Sequence, residues 1–302
     1  MAEWIDLVDP AELELRQALP RDVHSTAMEL LLRPTQHDDE PRPRLEGHDH
    51  YVFGVFLIPI AVREEDRVFY QEVDVVMSRE FILTVRKTPP GERPFDVEAI
   101  REICRPEAEK SAGMVAYHLV DDVAERFLDL TDAFEGEIDE LEDNVERWPA
   151  EEVRDRLSTL RHDLLHVRRT LSPTRDAVRR VIDDRVEIEA GDLFPREVEL
   201  YFADAYDKLL RASESLELAR DLVAGVRDYF QAKVANDQNE VMKRLTVVAS
   251  LLLPPTFIVG LYGQNFHHIP ELGWSFGYWW AWGLIVVTTI AQLIFFRRKK
   301  WL

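Results

Sequence analysis

The chain of 302 residues carries 37 Lys and Arg against 57 Asp and Glu, a net charge of −20, and 46% of its residues are hydrophobic. That apolar share is enough for a buried core and excludes a disordered chain; the acidic balance excludes nucleic acid as a main partner, because a phosphate backbone calls for a positive footprint. A single cysteine, Cys104, excludes an intrachain disulfide framework and a cysteine zinc cluster, and the opening MAEWIDLVDPAELE has neither the basic nor the apolar region of a cleaved signal peptide.

Residues 1–110 read as an α/β domain. Asp9-Pro10 predicts a short helix, with Asp9 as its cap and Pro10 in the first turn. HDDEPRPRLEG, 37–47, is a loop by composition. Segments 51–62, 67–77 and 81–87 are rich in β-branched and aromatic residues between polar turns, which predicts strands of one sheet.

Residues 111–195 read as antiparallel helices of the same domain. One is predicted from Ser111 to Trp148, where Pro149 interrupts, and a second from 150 to 184. On the second, His162 and His166 lie among charged residues and read as surface positions. A stalk, 196–242, follows. Val198, Phe202, Ala205, Leu209, Ala212, Leu216, Ala219, Val223, Val226 and Phe230 alternate steps of four and three, the heptad seam of a long coiled-coil-like helix. No stop signal separates it from what comes next, and one helix over 196–263 would reach about 100 Å.

The end of the chain has a different chemistry. Residues 241–302 hold six basic residues and one acidic residue, a net of +5, so the preceding 240 carry −25. Residues 245–270 and 272–296 contain no Asp, Glu, Lys or Arg. Each window is long enough for a membrane span, predicted at about 243–263 and 275–296 within a hairpin 243–302. Trp274, Tyr278, Trp279, Trp280 and Trp282 gather at one end, as interfacial aromatics do. Lys243 and Arg244 precede the first span, Arg297, Arg298, Lys299 and Lys300 follow the second, and the loop between has no basic residue. The positive-inside rule then places both termini in the cytoplasm. The fold class is therefore α+β: an N-terminal α/β cytoplasmic domain, a long-helix stalk and a C-terminal two-helix transmembrane hairpin.

Along the first span, Asn239, Met242, Leu245, Ala249, Leu253, Thr256 and Gly260 fall on one helix face. That face suits a pore lining or helix packing, and a homo-oligomeric pore would use it for both. Gly263, Gln264 and Asn265 follow. They read as neutral oxygens that recognise a hydrated cation, or as a polar turn with Gly263 capping the helix. Pro254 and Pro255 lack N–H groups and leave the carbonyls of Ser250 and Leu251 without helical donors, which membrane tolerates only against protein or a water-filled lumen.

GLYGQNFHHIPEL at 260–272, NEVMKRLTVVASLLLPPTF at 239–257 and the terminal RRKKWL closely resemble the CorA magnesium transporter family, whose signature is YGMNF followed by a Pro-Glu pair. The ERWPAEE break, the LSPTRDAV segment and the overall layout extend the resemblance over nearly the whole chain. It departs at Gln264, which stands where the family has Met, and at Pro255, which doubles a single proline.

The resemblance implies a homo-pentameric channel of the inner or plasma membrane, with Mg2+ as transported and regulatory ion, Co2+ or Ni2+ as further cargo, and no organic cofactor. It implies that the stripe lines the pore, with Met242, Leu245 and Leu253 as a hydrophobic constriction and Gly263, Gln264 and Asn265 as the selectivity lip. Asp228 matches a regulatory metal ligand of the family and Asp204 a second; Glu64, Glu65 and Asp66 are candidates for their acidic partner. A ZntB-like Zn2+ transporter is the runner-up, since that branch varies the residue at Gln264. His267 and His268 carry little weight for zinc as adjacent residues of an exposed loop. A non-conducting membrane-anchored scaffold or metal sensor is the reading of another class. An enzyme is not expected, for want of a phosphate-cradling Gly loop, a nucleotide motif or a cysteine nucleophile in a matching context.

Overall fold

The computed structural model describes residues 2–20, 23–35, 40–62, 67–106, 111–186, 188, 192–265 and 269–301. They form two compact units, Met1–Val226 and Arg227–Leu302. The division cuts the stalk helix before the 242/243 boundary suggested by polarity, because packing and polarity change at different places along that helix.

The first unit is built on a five-stranded sheet of order β1-β5-β4-β3-β2, from β1 (Glu3–Val8), β2 (Arg44–Gly47), β3 (Val52–Val62), β4 (Arg67–Met77) and β5 (Phe81–Lys87). β1 runs parallel to β5 and the other neighbours are antiparallel. The three predicted strands are present. Two more flank them, and β2 corrects the loop expected over 37–47: residues 44–47 pair with Val52–Val55. β1 holds an acidic residue in its middle because β5 neutralises it. Asp6 accepts from Arg86 Nη2 at 2.7 Å and from Thr84 Oγ1 at 2.7 Å.

Helices α1 (Glu12–Ala18) and α2 (Ser25–Leu32) follow β1. Their Leu15, Ala27 and Leu31, with Leu19 just after α1, join Phe53, Val55, Val76, Leu83 and Val85 in one core cluster. Asp9 does not cap α1. The N-cap is Ala11, and Asp9, at φ 44°, turns its carboxylate to the backbone N–H of Thr88, 3.0 Å away. A charged cluster is sealed beside this core. Lys87 donates to Leu30 O at 2.7 Å and to Glu72, and its Nζ lies 2.8 Å from Asp74 Oδ2. The contact with Asp74 is an ion pair, and neither of its buried oxygens is matched with a hydrogen-bond donor among the described residues. Burial pushes its carboxyl up to about 7, against the pull of Lys87.

After the short α3 (Glu98–Ile103), which carries the buried Cys104 at its end, α4 (Ala112–Asn144) packs against β3. Ser111 caps it, accepting from Met114 N at 3.1 Å. Gly113 permits a close approach, since a Cβ there would sit 2.6 Å from the carbonyl oxygen of Leu193. α4 ends four residues before Trp148, and α5 (Ala150–Ile182) starts after Pro149. His166 on α5 corrects the surface reading. It is half-buried, 2.9 Å from Glu40 and edge-on to the ring of Tyr70.

α6 (Arg196–Tyr262) is one continuous helix of 67 residues. In the first unit its seam is realised: every predicted position from Val198 to Val226 is buried. Lys208 of α6 reaches Asp121 at 2.6 Å and Glu125 at 2.8 Å on α4. Burial alone would lower this ammonium, but the two carboxylates outweigh it and hold the group above its ordinary value.

Candidate functional site

The second unit holds the last part of α6, a short 3₁₀ turn (Pro270–Gly273) and α7 (Gly277–Arg298). Both helices contain a stretch long and apolar enough to cross a membrane. α7 opens among aromatics, with Trp274 against Phe276 at 5.2 Å and Trp280 at 6.1 Å, and closes on Arg297 and Arg298. One end therefore suits a headgroup region and the other a positively flanked face.

Burial along the first span is periodic. Val247 is buried and Ser250, Leu251, Pro254, Pro255, Ile258 and Tyr262 are half-buried, at the three- and four-residue spacing of one helix face. Ser250 ties that face to α7: its carbonyl oxygen accepts from Gln292 Nε2 at 2.9 Å. Asn239, Met242, Leu245, Ala249, Leu253, Thr256 and Gly260 are all exposed in the single chain. Thr256 spends its hydroxyl hydrogen on Leu252 O, 2.8 Å away, so its oxygen lone pairs are what it presents outward.

The helix closes at Gly263, whose N–H donates to Val259 O at 2.9 Å, and at Gln264, whose N–H reaches Leu261 O at 3.4 Å. Gly263 is not in the left-handed region and so makes no αL cap. A Cβ there would lie 3.1 Å from Val259 O, a tight approach. The side chains of Gln264 and Asn265 are exposed, and among the described residues neither amide has a hydrogen-bond partner. Among the described residues, two carboxamides are thus unengaged immediately beyond the span. His267 and His268 lie outside the described residues.

The regulatory candidates fall in different units, Asp204 in the first and Asp228 in the second. Both are exposed. Asp228 Oδ1 lies 3.1 Å from Arg227 Nη2. Asp204 stands near Tyr117, whose hydroxyl is pushed up to about 12 by burial first, then by Asp121, with Asp204 a lesser contributor. Among the described residues no three His, Cys, Asp or Glu side chains gather as a metal cluster. A divalent site at either aspartate therefore needs ligands from elsewhere. Glu64, Glu65 and Asp66 lie outside the described residues.

Gln292 escaped the sequence reading, because it sits inside a window judged only by its lack of charge. The signal was Pro254, whose orphaned carbonyl partner asks for a donor from the other span.

Residues 2–298 match the family described as CorA-like Mg2+ transporter protein. The Bacillus subtilis protein YfjQ is 32% identical over 307 aligned positions, covering 99% of this chain and 89% of that protein. The cobalt/magnesium transport protein CorA of Thermotoga maritima is 30% identical, covering 99% and 83%. The complete structure of the CorA magnesium transporter from Methanocaldococcus jannaschii superposes with a TM-score of 0.79 at 23% identity, over 99% of this chain and 91% of that one, a likeness of fold.

Proposed function

The chain belongs to the CorA-like Mg2+ transporter protein family, and from that premise we propose that it passes Mg2+, with Co2+ or Ni2+ as further cargo, through a homo-pentameric pore in the inner or plasma membrane. One observation carries the reading. The seven stripe positions share the exposed face of the first span, and that span ends in two amides with no hydrogen-bond partner among the described residues.

Mg2+ sheds its water reluctantly and prefers oxygen ligands. A ring of Gln264 and Asn265 carboxamides with the Gly263 backbone hydrogen-bonds the ion's water shell and does not strip it. Residues 245–262 supply no carboxylate that would trap a bare ion. Thr256 and Gly260 line the outer part of the path, and Thr256 offers lone pairs to the hydrogens of cation-bound water. Leu253, Leu245 and Met242 form a hydrophobic constriction that gates by dewetting, and Asn239 makes a polar ring at the cytoplasmic mouth. Both termini lie in the cytoplasm, as the basic flanks require.

Regulation uses Asp228 and Asp204 with carboxylates of neighbouring subunits. Unit charges 4 Å apart interact by about 4 kcal/mol at an effective dielectric of 20, and reversing a two-state population from 1:99 to 99:1 takes about 5.5 kcal/mol. A few bridged pairs around a ring suffice: bound Mg2+ holds the ring closed, and its loss lets like charges part.

Ion uptake into proteoliposomes tests the reading. Mg2+ uptake supports it; zinc uptake coupled to protons moves the assignment to a ZntB-like transporter, and no flux leaves a scaffold or sensor. Gln264→Met, measured for selectivity among Mg2+, Co2+ and Zn2+, reports what the exchanged residue does at the lip. Asp228→Ala should weaken inhibition by high internal Mg2+, and identical inhibition in both proteins removes Asp228 from the switch.

A further inference from the structure

Pro254 has no N–H, so the carbonyl of Ser250, four residues back, has lost its helical donor. Hydrocarbon offers no replacement. The second span does, through the 2.9 Å bond from Gln292 Nε2. Beyond its aromatic end α7 carries three polar side chains before its basic tail. Thr288 and Thr289 donate to their own helix, at Leu284 O (2.7 Å) and Ile285 O (2.8 Å). Gln292 alone among them reaches out of α7. An amide at this depth is costly unless bonded, and the bond it makes is to one of the two carbonyls, Ser250 and Leu251, that the proline pair leaves without a helical donor. Its orientation is fixed as well. A flipped amide would set Oε1 against the Ser250 oxygen, acceptor against acceptor. As placed, Oε1 is buried and accepts no hydrogen bond.

Ser250 stands between Ala249 and Leu253 of the exposed stripe. A proline step is where a helix bends, and the bond to Ser250 is made within one turn of it. We propose that Gln292 is a positioning residue for the gate: its carboxamide replaces the N–H that Pro254 lacks and so fixes the angle at which Leu253 enters the pore. The inference rests on the pore reading of the stripe. Gln292 touches no ion; it acts through the first span.

The test is a double-mutant cycle in proteoliposomes, read as the internal Mg2+ concentration that halves flux. Gln292→Met keeps the size of the side chain and removes the donor. It should shift that midpoint by about threefold to tenfold, the range commanded by one hydrogen bond between membrane helices. Pro254→Ala returns a backbone donor to Ser250, so adding Gln292→Met to it should leave the midpoint where Pro254→Ala alone puts it. Equal shifts in both backgrounds overturn the proposal. Should Gln292→Met fail to assemble by size exclusion, the double variant should recover assembly, and failure to recover also overturns it. Absence of divalent flux from the wild-type protein strikes the pore reading instead, whereas additive shifts in a conducting protein strike this proposal alone.

Discussion

In Met1–Val226, Phe127 and Leu171 are completely buried and the apolar seam of α6 is covered; in Arg227–Leu302, Leu253 is 71%, Phe257 69% and Trp279 74% exposed. The same residue types meet opposite fates. The first unit builds an interior from its own sheet and helices, and even encloses Glu72, Asp74 and Lys87 beside its core. The second has apolar helices with almost no interior. Its side chains are matched to a solvent of lipid and, in the reading above, to copies of itself. The first unit therefore answers to packing, hydrogen bonding and pH, and the second to bilayer and assembly.

The contrast breaks or sharpens by experiment. Phe127→Ala should cost about 3–5 kcal/mol of stability in thermal or denaturant unfolding, while Phe257→Ala in detergent should cost less than about 1 kcal/mol. Equal losses would mean that Phe257 is packed against protein. Gly113→Ala should cost about 1–3 kcal/mol, since its methyl group meets the Leu193 oxygen; an unchanged melting temperature would show that this helix entry yields.

Asp74 provides a pH-dependent test. The fold favours its protonated form, so its contribution to stability is complete below about pH 4 and is lost as pH rises through about 7. Asp74→Asn keeps the neutral shape, and its melting temperature should exceed that of the wild type at about pH 7 and above and vary less between about pH 4 and 7. A parallel pair of curves would exclude Asp74 as the source. The smallest effect belongs to the surface. Glu12→Ala removes the partner of Arg16, a pair that is more than half exposed on both sides, and should shift stability by less than about 0.5 kcal/mol.

The comparison also explains what the sequence made legible. The seam from Val198 to Val226 and the two spans are long signals with one period or one polarity, and they appear as expected. β1 was hidden because Asp6 argues against a strand until Arg86 and Thr84, some eighty residues on, are seen to hold it. β2 was hidden because RLEG follows Pro41 and Pro43 and sits on the sheet edge with β3 as its partner. Asp9 reads as a cap by position, yet Thr88 claims its carboxylate. In the candidate site, the stripe and the lip can be read from spacing and from the family signature. Gln292 cannot, since its partner is a main-chain atom 42 residues away. The ligands that the proposal draws from neighbouring subunits for Asp228 and Asp204 cannot be read at all, because the pattern of one chain does not reveal what another supplies.

Cys104, buried at the end of α3, is the chain's single thiol. Fluorophores or spin labels attached through cysteines introduced along the stripe will thus meet no accessible competing thiol. Distances across the proposed gate can be followed on an otherwise native background, with and without Mg2+, one labelled position at a time.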